Sequence, residues 1–494
     1  MLNSEVLAAM LLLAGLLPAS GCVSTRGNAA PAASAESMAA SAAPRELSAD
    51  EQVVHVLDRL SFGARPGDAD RVRAVGVDAW IASQLHPERI AENDADRLAA
   101  SLTAPFISPA DVVRDLAPAG RGDSTARRLL RQRYAEAGRA VQTARVARAV
   151  GSDRQLQETL VDVWANHFSV FAGKGPVRLY LAQYEEEAIR PHVLGKFRDL
   201  LGAVAHSPAM LFYLDNWQST ADSLHPVLAT VRGPGRRRGA VRGRPARPQP
   251  AGARRPRGLN ENYARELMEL HTLGVDGGYT QHDVVEVARA FTGWSIAAPR
   301  EGGGFVFRPA LHDAGEKHVL GERIRAGGGE EDGERVLDIL ARRPATARMV
   351  ATTLARRLVS DDPPASVVDR AASVYMKTDG DLREVVRSIV TSPEFFSRAA
   401  WHAKVKSPLE LVVSALRAAD VRADTMPRAA RTIANLGQPL YGHQTPDGWP
   451  ERSSEWLSAG AVADRVNFIA ALVARPRVTD SLRSVLESPD FQRR

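Results

Sequence analysis

The chain has 494 residues, 44% hydrophobic and 25% charged, a composition that suits a globular protein and excludes a disordered or fibrous one. Ten arginines and no acid lie between Val231 and Gly258, and without them the net charge of +6 becomes −4. The basicity is therefore local, and with no aromatic residue interleaved for base stacking it does not support nucleic-acid binding. The one cysteine, Cys22, excludes internal disulfides and cysteine-based zinc sites.

Residues 1–22 have the pattern of an export signal: an apolar run from Val6 to Leu17, too short to span a membrane, then Pro18-Ala19-Ser20-Gly21-Cys22. Small residues before a lone cysteine resemble a bacterial lipoprotein signal, which implies lipidation at Cys22 and a periplasmic or outer-membrane lipoprotein. The first residues depart from that pattern, carrying Glu5 and no Lys or Arg. Residues 23–47, rich in Ala, Ser and Pro, read as a disordered tether. Contact with the membrane is expected only through the lipid anchor.

Ser48-Ala49-Asp50-Glu51 reads as a capping box, and Val53, Val56, Leu57 and Leu60 give the helix that follows its core side. From here to residue 480 the pattern predicts one large helical domain. An Arg-rich amphipathic helix runs from about Ser124 to Val150 with its charges on a solvated face. Gln155 to Phe171 is a further helix, with Asn166 and His167 set among Leu160, Val163, Trp164 and Phe168. Residues 176–217 form one or two helices whose end, with Asp215, Asn216 and Trp217, can line a pocket. Residues 221–258 are predicted to be a disordered Arg/Gly/Pro-rich loop.

Gly258 to Trp294 reads as two helices about a glycine turn. The first runs from about Asn260 to Leu273 and stops at Gly274; the second is capped by Thr280 with Asp283. Phe305-Val306-Phe307 is a short strand, and His312, Asp313 and Lys317 follow in a loop or small β-hairpin. Helices resume from residue 335. One opens at Ser407-Pro408-Leu409-Glu410, and Leu436–Tyr441 and Pro446–Pro450 are loops. A weak internal repeat, Gly195-Lys-Phe-Arg-Asp-Leu-Leu and Gly380-Asp-Leu-Arg-Glu-Val-Val, leads each time to Ser-Pro, and Ser481-Leu-Arg-Ser-Val-Leu does the same. Residues 481–494 are expected to be a tail. The fold class is mostly α: a large multi-helix domain with helical hairpins and at most a small β-hairpin.

Three strings carry a resemblance. They are GLNENYARELMELHTLGVDGGYTQ with its ARAFTGW end, the Asn166-His167-Phe168 run, and the Phe307…His312-Asp313…Lys317 run. Together they resemble the bacterial domain of unknown function 1800 (DUF1800) family, over roughly Glu46 to Pro476. The resemblance implies a fold and an exported setting but no reaction. It also implies a partner, a second exported DUF1501-like protein encoded nearby.

The site-type residues form three groups: Asn166 and His167; Asn262, Arg265, Glu266, Glu269 and His271; and His312, Asp313 and Lys317. Converging on one pocket, His167, Glu266, His271, His312 and Asp313 would supply acid–base or metal chemistry. Asn166, Asn262, Arg265, Glu269, Lys317 and Asp215 would bind. Spacing speaks against a shared metal. On a regular helix His271 lies roughly 140° from Glu266 and 160° from Glu269. No HExxH, CxxC, nucleophile elbow or phosphate loop is present, and no cofactor is specified. The same residues also fit a satisfied packing network, with Arg265 and Glu269 paired at i,i+4. Two functions follow: a helical binding or partner-interacting module of the cell envelope, or an exported hydrolase-like enzyme.

Overall fold

The computed structural model describes residues 44–113, 124–222, 226–228, 258–421, 426–474 and 478–494. The signal-like segment, Cys22 and most of the Arg-rich stretch lie outside the described residues. The described chain is mostly helical, with 20 α-helices and two small antiparallel sheets of two strands each. None of the described helices is long and apolar enough to cross a membrane.

The Ser124–Gly151 helix is the long central element. It packs against the Asp94–Thr103, Val177–Gln183, Pro408–Ala418 and Met426–Asn435 helices. Around it one apolar cluster runs through most of the described chain, with Trp164, Phe168, Phe197, Phe291 and Trp294 fully buried. A smaller cluster of Leu411, Ile469, Leu472 and Leu486 ties the last helices, Ala459–Val473 and Asp480–Glu487, to the Pro408–Ala418 helix.

Local signals explain where elements begin. The capping boxes at Ser48/Glu51, Thr280/Asp283 and Ser407/Glu410 are all formed, each side chain taking an N–H that the helix leaves unpaired. The two copies of the internal repeat meet. Lys196 bridges Asp381, Phe197 N–H donates to Gly380 O at 2.8 Å, and Leu382 N–H donates to Gly195 O at 2.9 Å.

Several expectations are corrected. A second hairpin joins the expected one: β1 (Trp294–Ile296) pairs with β2 (Phe305–Phe307), and β3 (Lys317–Val319) pairs with β4 (Glu322–Ile324). Residues 44–47, read as the end of the tether, are docked. Leu47 is buried, and Glu46 N–H donates to Phe396 O at 3.2 Å. Within the expected Arg-rich loop, Val227 bridges Asp313, and Leu228 is buried with its N–H donating to His312 O at 3.0 Å. In the expected tail the Ser481 copy of the repeat forms the expected short amphipathic helix, but the residues after it are packed as well: a 3-10 turn, Pro489–Gln492, leads to Arg494, buried at 3% exposure. Apolar Leu482, Leu486 and Phe491 draw it onto the smaller cluster.

Candidate functional site

Two of the three residue groups come together. The helix expected to reach Leu273 is α-helical only over Glu261–Met268, and Glu269–Leu273 form a π turn. Thr272 Oγ1 donates to Leu267 O at 2.7 Å inside it. His271, on the same side as the buried Leu267 and Met268, points inward, where its ring meets Phe168 at 5.1 Å and His167 at 6.2 Å. His167 Nε2 lies 3.1 Å from the His271 carbonyl, which only accepts, so Nε2 carries the proton. Burial lowers His167 to about 4. Burial and the neighbouring His167 lower His271 to about 3. Both rings are neutral at physiological pH.

Glu266 and Glu269 face outward and are half-exposed. Burial, then the Glu269 and Asp447 carboxylates, raise the Glu266 carboxyl. Glu269 accepts from Tyr279 Oη at 3.0 Å. Arg265 does not pair with Glu269; it reaches Gln281 at 2.7 Å and Glu261 at 3.8 Å. Asn262 is exposed, its backbone N–H capped by Asn260. Asp215 pairs with Lys174 at 2.6 Å.

The third group is a separate buried network. His312, Asp313 and Lys317 are each 0% exposed. His312 bonds Thr292 O at 2.7 Å and Asp332 at 3.1 Å, Lys317 Nζ donates to Asp332 at 2.7 Å, and Arg289 pairs with Asp313 at 2.7 Å. Every one of these polar groups is satisfied from within, so none is presented to a ligand. Among the described residues no group of three or more His, Cys, Asp or Glu could hold a metal ion.

The buried histidines give a pH expectation. His167, His271 and His55, whose burial lowers it well below 6.5, are neutral in the folded chain. Above pH 6.5 they have no effect. As pH falls below 6.5 the unfolded chain takes up protons that the folded chain does not. Each ring then removes about 1.4 kcal/mol per pH unit until it titrates, for His167 at about 4. At His206 burial is outweighed by the Glu334 pair, so its pKa is raised and it works in the opposite sense. Urea unfolding between pH 7.5 and 5 should show falling stability toward acid, with a shallower slope in His271→Phe. A flat profile would contradict the assignment.

A charged cleft opens beside Asn166. It encloses ≈ 600 Å³ of non-atom space, counting the open solvent at its mouth. Four cations (Arg145, Arg357, Lys404 and Arg494) and three acids (Asp162, Glu410 and Glu451) line it, with Trp449, Trp456, Tyr441 and His443. The charges form a chain of pairs. Arg145 meets Asp162 at 2.8 Å; Arg357 meets Asp162 at 3.0 Å and Glu410 at 2.9 Å; Arg494 Nε meets Glu410 at 2.9 Å. Lys404 reaches Asp361 at 2.5 Å. Burial alone would raise Glu410, but Arg357, Arg494 and the Ser407 N–H hold it at about 2. The capping-box glutamate is thus also the anion at the centre of the cleft.

Asn166 positions the aromatic wall. Its Nδ2 donates to Trp449 O at 2.8 Å and its Oδ1 accepts from Trp449 N–H at 2.7 Å. Gly448 has a φ of +73°, and a Cβ there would stand 2.4 Å from Asn166 O, so only glycine allows the approach. His443 packs edge-on to Trp449 at 4.7 Å, and Trp456 lies 6.2 Å from it. Trp449 Nε1 and Arg357 Nε are buried without a hydrogen-bond partner.

A model described as a protein of unknown function, DUF1800, matches residues 55–493. The chain belongs to this family. No curated protein and no solved structure gives a match. The DUF1800 match spans every lining residue of the cleft except Arg494. Reading the sequence placed Asn166 in a site but missed Arg145, Asp162, Arg357, Glu410 and Arg494, which lie far apart along the chain. The usable signal was the pair Trp449 and Trp456, two indoles within and just beyond a Gly/Pro-rich loop.

Proposed function

We propose that this DUF1800 member is a non-catalytic binding module of the cell envelope, whose cleft takes a sugar residue of an envelope polymer. The observation that carries this is the pair of unpartnered buried donors, Trp449 Nε1 and Arg357 Nε, in a cleft walled by indoles. An unmet buried donor costs free energy, and these two share a cleft with polar groups, so a ligand oxygen is stabilised there. Trp449 and Trp456 offer flat apolar faces, while Asn166, Gln438 and the paired charges offer fixed donors and acceptors for hydroxyls. With four cations set against three acids the lining is close to neutral, which favours an uncharged sugar over a strong anion. Export by a lipid anchor, read from the residues around Cys22, would put the cleft where such polymers are.

Hydrolysis needs an acid with a proton to give, and Glu410, the acid shared by Arg357 and Arg494, is held ionised by them. Glu266 has a carboxyl raised by burial and by the Glu269 and Asp447 carboxylates, but it does not line the cleft. Co-sedimentation with isolated peptidoglycan sacculi should deplete the chain from solution, and Trp449→Ala should weaken retention by about tenfold, or about 1.4 kcal/mol. Reducing ends should not accumulate. Release of sugar by the wild type but not by Glu266→Gln would establish the hydrolase reading instead.

A protein partner is the second reading, favoured by a specific surface. Of the nine exposed large hydrophobic side chains among the described residues, Leu457, Val462 and Val466 line one groove of ≈ 1170 Å³, non-atom space, between the last two helices. The partner is the DUF1501-like exported protein implied by the family resemblance. Val466 is 59% exposed, so Val466→Asp should leave folding intact and abolish co-purification with that protein. Unchanged co-purification would remove the groove as its docking surface.

A further inference from the structure

We propose that residues 492–494 are a displaceable gate over the charged cleft, with Arg494 as its bolt. This rests on the reading of the cleft as a ligand site. As it stands, the cavity inside the cleft has a volume of only ≈ 30 Å³. That holds about two water molecules, far less than the hundreds of Å³ of a typical ligand pocket. A ligand therefore enters only if part of the wall moves.

Most of the wall is anchored. Arg145, Asp162, Asn166, Arg357 and Glu410 stand on helices that build the main core. The aromatic loop is pinned by the Asn166–Trp449 pair, by Tyr441 N-terminal to it donating to Glu185, and by Tyr213 donating to Gln444 O at 2.8 Å. Residues 492–494 differ. They form a single antiparallel bridge, Val405 to Arg493, with three backbone bonds (Lys404 N–H to Arg494 O at 3.2 Å, Arg494 N–H to Lys404 O at 2.9 Å, Lys406 N–H to Gln492 O at 2.9 Å) and two long side-chain bonds, Arg465 to Gln492 and Arg493 to His402 O, each at 3.4 Å. From this bridge the Arg494 side chain enters the cleft, meeting Glu410 at 2.9 Å and donating to Arg357 O at 3.1 Å.

Withdrawal of Arg494 leaves no orphaned charge behind. Glu410 keeps Arg357 at 2.9 Å and the Ser407 N–H at 2.8 Å, and the released guanidinium is hydrated. The same step frees one side of Glu410 for a ligand hydroxyl and uncovers the Lys404 and Lys406 amides. Arg493 is already exposed, so the segment lifts without extracting an apolar side chain at that position.

Hydrogen exchange on the full chain tests this without any ligand. The Lys404 and Lys406 amides should exchange about a hundredfold faster than those of Leu411 to Leu416 in the adjoining helix, the mark of local opening. Arg494→Ala should speed those two amides further, leave the helix unchanged, and raise affinity for an N-acetylglucosamine tetramer. If the two amides exchange only as slowly as the helix in the wild-type chain, the gate is overturned, whatever the variant does. If they open quickly but neither protein binds sugar, the gate stands and the saccharide reading falls.

Discussion

Arg357→Ala is expected to destabilise the fold by about 3–5 kcal/mol, the cost of breaking a buried ion pair from one side. Arg357 is the hub of the cleft, placed within 3.0 Å of Asp162, 2.9 Å of Glu410 and 3.6 Å of Glu451. It comes from the Pro344–Leu358 helix, whereas its partners come from the helices Gln155–His167 and Pro408–Ala418 and from the aromatic loop. Truncation removes the cation these acids share: Asp162 keeps Arg145 and Glu410 keeps Arg494, while Glu451 loses its contact and the carboxylates repel in a poorly solvated space. Urea unfolding at pH 7.5 measures the loss as a lower midpoint. Arg357→Lys keeps the charge but lacks the planar fork, so it should fall between wild type and alanine. A loss below about 1 kcal/mol, the size of a surface ion pair, would mean that the network is solvated and the cleft is not preorganised.

The second large effect is expected in the His312 network. Lys317→Met should cost about 3–5 kcal/mol as well, because it leaves the buried Asp332 carboxylate with His312 alone. Adding Asp332→Asn should recover part of that loss, since the uncompensated charge is then gone and the amide still faces His312. Recovery of this kind identifies electrostatic rather than packing damage. If the double variant is as unstable as the sum of the two single changes, the three residues are not one coupled network. Neither variant should alter sugar binding, because none of these groups lines the cleft.

The parts of the fold legible in the sequence are those governed by local rules. Helix starts at Ser48, Thr280 and Ser407 follow from three-residue capping patterns, and the Gly274 stop follows from its φ of +83°. What local spacing could not show was the π turn after Met268. Regular periodicity already puts His271 opposite the outward Glu266, but its ring contact with Phe168 and its carbonyl bond to His167 come only from the fold. The site was legible in one residue of its wall, Asn166, and not in its charges. Arg145, Asp162, Arg357, Glu410 and Arg494 each sit in ordinary helix or tail context, and only the fold assembles them. The His312, Asp313 and Lys317 run is the converse case. Its residue types suggest chemistry, yet each is buried at 0% exposure and satisfied within the fold.

The most direct test of the cleft as a ligand site is calorimetric titration of the full chain with an N-acetylglucosamine tetramer, alongside Trp449→Ala and Glu266→Gln. Saturable binding that Trp449→Ala weakens by about tenfold and Glu266→Gln leaves unchanged is the expected result. Binding that ignores Trp449, or no heat with either wild type or the gate-opened Arg494→Ala chain, would contradict it.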